Sequence, residues 1–320
     1  MAKLVESVPN FSEGRRVEVV DRLAVAVESV PGAFLLDRTS DPSHNRSVLT
    51  LAGEPGPILE ALERTVAVAV AEIDMEHQSG EHPRIGAVDV VPFVPLAGAT
   101  MTDCLELART FGSRVADRFG IPVYLYGEAA TSPSRQRLAD VRRGQYEGLK
   151  AGIAEPGREP DFGRPALHAS AGAMAVGARQ FLIAYNINLD SKDVELAKRI
   201  ARRIRESGGG LPRVQANGFW IEELGRAQVS MNLLDFHTTP IWLAWETVRA
   251  EAAADGVHLA ESELIGLAPL AALLQVADHA GVPARLSQTE RLRGAAEFLK
   301  LRDFSPLQAL ELRLEAAKKR

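Results

Sequence analysis

The sequence contains almost no cysteine and no long apolar run. Cys104 is the only cysteine among 320 residues, so neither an intrachain disulfide nor a cysteine-based metal cluster can form, and we expect a reducing, cytoplasmic location. No segment reaches the roughly twenty apolar residues that a membrane-spanning helix requires. Residues 1–10 alternate apolar and polar side chains, unlike the apolar core of a secretory signal. We therefore expect no association with a membrane.

An excess of basic residues is also missing. The chain has 37 lysines and arginines against 42 aspartates and glutamates, a formal net charge of -5. This balance argues against non-specific nucleic-acid binding, because such binding neutralises phosphates with a net basic face. One local basic cluster can still either line a groove for an anionic small molecule or form a solvated helix face. Its members are Arg135, Arg137, Arg142 and Arg143.

The seven histidines lack the spacing of a helical metal site. No two of them form a His-x-x-x-His pair, and Gly80 separates His77 from His82. We therefore expect no metal.

Residue periodicity in the first half predicts the order strand, helix, strand, strand, helix, strand. The predicted strands are 3–8, 33–38, 46–52 and 88–94, and the predicted helices are 14–30 and 57–74. A helix at 102–119, a strand at 121–126 and a basic helix at 134–150 extend this half. Residues 151–164, rich in glycine, proline and charge, are expected to connect the halves.

The same order is predicted again in the second half. The predicted strands are 179–187, 213–220, 227–234 and 257–265, with helices from 190 to 208, at 239–254 and after 268. Two βαββαβ copies predict an α/β (α+β) protein with two ferredoxin-like subdomains, 1–178 and 179–320. Each subdomain is expected to have a mixed or antiparallel sheet with helices on one face. The uncovered faces then favour a ligand cleft or tunnel between the subdomains.

The loop at residues 80–88 is the strongest candidate for chemistry. Pro83 forces His82 into an extended backbone, while Gly80 and Gly86 allow geometries that other residues resist. An imidazole near neutrality can accept and return a proton, and Glu81 or Arg84 can shift its pKa. The alternative is a purely structural histidine, but a loop rich in glycine and charge is a poor core element.

A polar turn between two predicted strands, residues 37–46, is a second candidate. Asp41, Asn45 and Arg46 either bind a ligand or, as ordinary turn chemistry, cap the backbone around Pro42. A third stretch, residues 160–173, is rich in small residues that let a backbone approach a flat ligand, although such runs also serve as linkers.

Six segments together resemble one family, the formiminotransferase domain. They are LVESVPNFSEG at 4–14, GEHPRIGAVDV at 80–90, VYLYGEAA at 123–130, PDFG at 160–163, GARQFLIAYNINL at 177–189 and AQVSMNLLDF at 227–236. The resemblance spans nearly the whole chain, and segments this long in the family's order are far more specific than a short motif.

The resemblance implies transfer of a formimino group from N-formimino-L-glutamate to tetrahydrofolate, a co-substrate, with His82 as the catalytic acid-base group. It places folate binding at Gly163, Arg164, Pro165, Ala166, Leu167, His168, Ala169, Ser170, Ala171 and Gly172. We expect Asp41, Asn45, Arg46, Arg84 and Arg179 to contact the substrate. A homodimer is also implied, and a separate cyclodeaminase is expected to process the product.

Two positions depart from the family pattern. Thr39 occupies a position where an aspartate is common, while this chain has Asp41 and His44 instead, and residues 167–171 lack an aromatic side chain found in some relatives. Two alternatives therefore stay open: a glutamate formyltransferase on the same fold, and a folate-binding protein without turnover.

Overall fold

The computed structural model describes residues 3–319, which form two compact units. The division between the units falls between Gln180 and Phe181, and the subdomain bounds from the sequence stay predictions. Each unit contains one β-sheet with helices packed on it, so the predicted α/β class is confirmed. The ferredoxin-like assignment and the cleft between the subdomains stay predictions.

The first unit contains seven strands and five α-helices. The strands are β1 Val5–Ser7, β2 Asn10–Phe11, β3 Ala33–Asp41, β4 Arg46–Gly53, β5 Val88–Pro95, β6 Val123–Gly127 and β7 Met174–Ala178. The helices are α1 Val17–Glu28, α2 Pro55–Glu72, α3 Met101–Phe119, α4 Leu138–Val141 and α5 Gln145–Gly152.

The sheet of the first unit has an antiparallel part and a parallel extension. β1 and β2 lie between β4 and β5 and pair antiparallel with both, while β3 pairs with the outer edge of β4. On the far side of β5, strands β7 and β6 follow in parallel. The predictions missed β7, because its sequence of small residues carries little strand signal.

Helices cover both faces of this sheet. α1, α2 and α3 bury Leu23, Ile58 and Phe111 in a core with the strands. On the opposite face, Leu149 of α5 packs with Tyr124 of β6. The prediction of one covered face is therefore wrong for this unit, since the sheet extension exposes apolar side chains on both faces that need burial.

The predicted basic helix at 134–150 is also wrong. The chain forms a 3₁₀ turn at Pro133–Arg135, then α4, then α5. Gly144 has φ 83° and Gln145 has φ 57°, a left-handed backbone that interrupts a right-handed helix. The break lets the Tyr146 N–H donate to the Arg84 carbonyl at 2.8 Å, which ties this segment to the His82 loop.

The second unit consists of a four-stranded antiparallel sheet and five α-helices. The strands are β8 Ile183–Leu189, β9 Val214–Ile221, β10 Arg226–Leu233 and β11 Leu259–Ile265, in the order β11, β8, β10, β9. The helices are α6 Val194–Ile204, α7 Ile241–Ala254, α8 Leu270–His279, α9 Gln288–Phe298 and α10 Leu310–Ala317. In the part of the chain that the structure describes, no helix is long and apolar enough to cross a membrane.

Candidate active site

Polar side chains from three separate stretches of the first unit line one concavity around His82. The stretches are the segment after β1, the turn between β3 and β4, and the loop between α2 and β5. The lining residues are Asn10, Phe11, Ser12, His44, Asn45, Arg46, Gln78, His82, Arg84 and Asp89. The structure thus brings His82 together with Asn45, Arg46 and Arg84, which are three of the five residues predicted to contact the substrate.

Glycines allow the His82 loop to pack against neighbouring backbone. A Cβ atom on Gly80 would lie 2.2 Å from the His44 carbonyl oxygen, and one on Gly86 would lie 1.8 Å from the Ala173 carbonyl oxygen. The Ser12 hydroxyl donates to the Gly86 carbonyl at 2.7 Å, and the Ala87 N–H donates to the Ala171 carbonyl at 2.9 Å. The loop is therefore fixed from both sides by backbone contacts that a larger residue would prevent.

Burial and nearby positive charge keep His82 neutral. They lower the pKa of His82 to about 3, with burial as the largest cause and the charges of Arg46, Arg142 and His44 next. A neutral imidazole can accept a proton. An anionic ligand placed beside the two arginines would offset their charges and raise the pKa of His82 toward the range in which a general base works best.

Arg46 supplies much of this positive charge. Its Nε donates to Asn10 Oδ1 at 2.9 Å, and Asn10 is itself fixed by donating from Nδ2 to the Val8 carbonyl at 2.8 Å. Burial, followed by repulsion from Arg142, lowers the pKa of Arg46 to about 10. The guanidinium is still charged at neutral pH and is a suitable partner for a carboxylate.

Arg142 is a site residue that sequence reasoning did not identify. It donates through Nη2 to Asp89, whose other carboxylate oxygen accepts from the Ile85 N–H at 2.8 Å. Its Nε is buried and has no hydrogen-bond partner within residues 3–319. The only sequence signal was its membership of the basic cluster, which gave no reason to choose it over its neighbours.

Arg84 is occupied by contacts within the protein. Its Nε donates to Gln78 Oε1 at 2.7 Å, and its two terminal nitrogens form a bidentate pair with Glu147 at 3.0 and 2.7 Å. The two remaining N–H groups donate to the Gln78 carbonyl and to Gln145 Oε1. All five donors are used, so these contacts favour a structural role over the predicted contact with substrate.

Asn45 also has a positioning role in this arrangement. Its Oδ1 accepts from the Gly14 N–H at 3.0 Å, and its Nδ2 donates to the Ser79 carbonyl at 2.9 Å. Its backbone is left-handed, with φ 47°, a conformation that asparagine tolerates better than most residues. Asn45 therefore holds the turn before Arg46 against the His82 loop.

The other predicted residues, namely Asp41, the folate segment and Arg179, are not among the lining residues. Asp41 accepts hydrogen bonds from the backbone N–H of His44 at 2.9 Å, and His44 Nδ1 lies 2.6 Å from its other oxygen. In the predicted folate segment, Gly163 to Ala166 are exposed, whereas Ala171 and Gly172 are buried against the His82 loop. Arg179 follows β7, its Nη1 donates to the Gln180 carbonyl at 2.9 Å, and it is not among the lining residues.

Removing the charge of Arg46 is expected to raise the pKa of His82. In Arg46→Met the imidazolium form of His82 loses a repulsive neighbour, so we expect the pKa to move upward from about 3. Histidine-ring NMR during a pH titration measures this shift. Arg38→Met, which removes an exposed arginine paired with Asp21, is the matched control and should leave the titration unchanged.

The first unit is thus an α/β scaffold that holds a neutral histidine among arginines. Two family models match the chain: the formiminotransferase domain, N-terminal subdomain, over residues 4–179, and the formiminotransferase domain over residues 184–313. The chain belongs to the formiminotransferase domain family.

Relatives of this chain include enzymes with and without a second domain. A glutamate formimidoyltransferase from Streptococcus pyogenes serotype M1 is 46% identical over 87% of this chain and 93% of its own length. One from Thermoplasma acidophilum is 48% identical over 86% of this chain and 91% of its own length. The formimidoyltransferase-cyclodeaminase of Mus musculus is 46% identical over 87% of this chain, but only over 52% of its own length.

Proposed function

We propose that this chain transfers the formimino group of N-formimino-L-glutamate to tetrahydrofolate, giving 5-formiminotetrahydrofolate and L-glutamate. The observation that carries the proposal is the imidazole of His82, which lines one concavity with Arg46 and is kept neutral by burial and by the charges of Arg46 and Arg142. Relatives named glutamate formimidoyltransferase match 86–87% of the chain, which supports the same activity here.

The reaction needs a base and then an acid. The secondary amine N5 of the reduced pterin attacks the amidine carbon, and the resulting tetrahedral carbon carries both the pterin nitrogen and the glutamate nitrogen. The neutral His82 accepts the proton from the pterin nitrogen. The glutamate nitrogen must gain a proton before its bond to carbon breaks and glutamate leaves, while the formimino group stays on N5.

The donor is a dicarboxylate, so it requires positive charge close to the base. Arg46 and Arg142 supply that charge beside His82, and binding of the carboxylates there makes His82 a stronger base at the moment the proton has to move. Asn45 and Arg84 keep the loops in place. The exposed backbone of residues 163–166 is the proposed start of the folate contact. Direct contacts of the substrate with Asp41 and Arg179 stay predictions.

We also propose a location, an assembly and a downstream enzyme for this chain. A cytoplasmic location fits the solitary, buried Cys104, and a homodimer is the assembly that the family resemblance implies. Several relatives combine the transferase with a cyclodeaminase and are about twice as long as the matched region. We propose that a cyclodeaminase takes up the product of this chain.

Product analysis with two donors tests the proposed activity. The purified protein is incubated with tetrahydrofolate and either N-formimino-L-glutamate or N-formyl-L-glutamate, and released glutamate and the modified folate are measured. We expect turnover with the formimino donor. Turnover with the formyl donor alone would instead identify a formyltransferase, and binding of tetrahydrofolate without turnover of either donor would identify a binding protein.

A further inference from the structure

We propose that His44 is a second catalytic residue of the formimino transfer, the general acid that protonates the departing glutamate nitrogen, and that Asp41 positions it. This inference rests on the proposed function. It assigns the two proton transfers to two different imidazoles, with His82 as the base and His44 as the acid.

The two imidazoles lie close enough to serve one reacting carbon. Their ring centroids are 6.3 Å apart with the ring planes at 67°, and both side chains line the same concavity. A general acid or base acts within about 2.6–3.2 Å of the atom whose proton it moves. A tetrahedral carbon bound alongside both rings, rather than between them, can therefore present one nitrogen to each.

Asp41 gives His44 the fixed orientation that an acid needs. One carboxylate oxygen accepts from the His44 backbone N–H at 2.9 Å, and the other lies 2.6 Å from Nδ1, leaving Nε2 as the nitrogen available to a ligand. Burial raises the pKa of Asp41, but the hydrogen bonds from His44 outweigh it and lower the pKa below its usual value. Asp41 is therefore ionised at neutral pH and holds the His44 ring through Nδ1.

Charge around the two rings separates their roles. The charged groups of the concavity are Arg46 on β4, Arg84 before β5 and Asp89 on β5, and Asp41 on the turn of His44 and Arg142 after α4 act from beside it. The charges of Arg46 and Arg142 lower the pKa of His82 and keep its imidazole neutral, and the charge of a protonated His44 lowers that pKa further. The carboxylate contacts His44, which fits His44 for the role of the acid and leaves His82 as the base.

The proton balance closes with this assignment. The N5 proton passes to His82 as the N5–C bond forms, and the His44 proton passes to the glutamate nitrogen as the C–N bond breaks. One imidazole has then gained a proton and the other has lost one. Transfer of the proton from His82 to His44, directly or through water, restores the starting state without an external reagent.

His44→Gln and Asp41→Asn test the proposal in the full-length protein. We expect His44→Gln to lower kcat by about 10–100-fold and to change KM for tetrahydrofolate by less than about twofold. In the wild type, kcat should decrease at alkaline pH, because the general acid loses its proton. This decrease, the alkaline fall, should be absent in His44→Gln. Asp41→Asn removes the carboxylate charge but keeps Oδ1 as the acceptor for the His44 backbone N–H. We therefore expect the decrease in kcat to begin at a lower pH than in the wild type.

The chain contains a matched control for this pair. Asp74 and His77 form the same Asp-x-x-His contact, with 2.8 Å between Oδ2 and Nδ1, but His77 is 85% exposed and outside the lining of the concavity. Asp74→Asn and His77→Gln should therefore leave kcat and its pH profile unchanged.

Three outcomes decide between the proposals. Unchanged kcat in His44→Gln, or a lowered kcat with the alkaline fall intact, overturns the role of His44 alone. Absence of turnover in the wild type overturns the proposed function together with this role.

As a second readout, free imidazole should restore part of the activity of His44→Ala, because His44 is 46% exposed, but none of the activity of His44→Gln, whose side chain fills the space.

Discussion

Replacing His82 with alanine is expected to reduce formimino transfer by about 10²–10⁴-fold, the range that a positioned acid-base group contributes. The imidazole is the proposed base of the reaction, and among the described residues no histidine other than His44 lines the same concavity. His44 cannot replace it, because the contact of its Nδ1 with Asp41 fixes its ring in another orientation. Rates of glutamate release under saturating tetrahydrofolate measure the effect.

Binding measurements separate this loss of chemistry from a loss of structure. His82 is half-buried, and the close backbone packing at Gly80 and Gly86 holds its loop, so His82→Ala should still bind tetrahydrofolate within a few-fold of the wild type. His77→Ala provides a histidine control on an exposed position. Wild-type turnover in His82→Ala would rule out the mechanism proposed here.

Replacing Gly86 with alanine is expected to remove about 3 kcal/mol or more from the free energy of unfolding, or to prevent folding altogether. The added Cβ would lie 1.8 Å from the Ala173 carbonyl oxygen and 2.7 Å from that of Ala171. Since backbone atoms cannot move aside as a flexible side chain can, the loop and the start of β7 would have to separate. Chemical denaturation followed by circular dichroism measures the change.

Gly56 provides the matched control for this substitution. It lies in the first turn of α2, and no heavy atom lies within 4 Å of its added Cβ. Gly56→Ala should therefore be neutral or stabilise the protein by about 0.5–1 kcal/mol, as alanine does within a helix. Equal stability of Gly86→Ala and Gly56→Ala would contradict the packing argument for the His82 loop.

The sequence predicted most elements whose apolar pattern is strong. Helix α3, for example, was expected at 102–119 and lies at Met101–Phe119, with a Thr100–Asp103 capping box at its start and Gly120 at its end. The same approach failed at residues 134–150, where basic side chains suggested one helix. Two left-handed residues, Gly144 and Gln145, break it, and a tertiary hydrogen bond to the His82 loop fixes the break.

The site was predictable only where local sequence determines the geometry. His82 was found because glycines and a proline frame it within a few residues. Arg142 was not found, because its place beside His82 depends on an ion pair with Asp89, 53 positions earlier. For Arg84 the motif predicts a ligand contact, whereas its guanidinium forms an ion pair with Glu147, 63 positions away, which local sequence does not indicate. Partners so distant in sequence leave no periodic or local signal.

The contacts that fix the His82 loop also determine when it can form. One side is held by Ser12, 74 positions before Gly86, and the other by Ala171 and Ala173, which follow it by more than eighty residues. During synthesis the histidine leaves the ribosome long before the second set of partners. The loop must therefore stay unformed until β7 has been made, so the reactive geometry is among the last parts of the first unit to assemble.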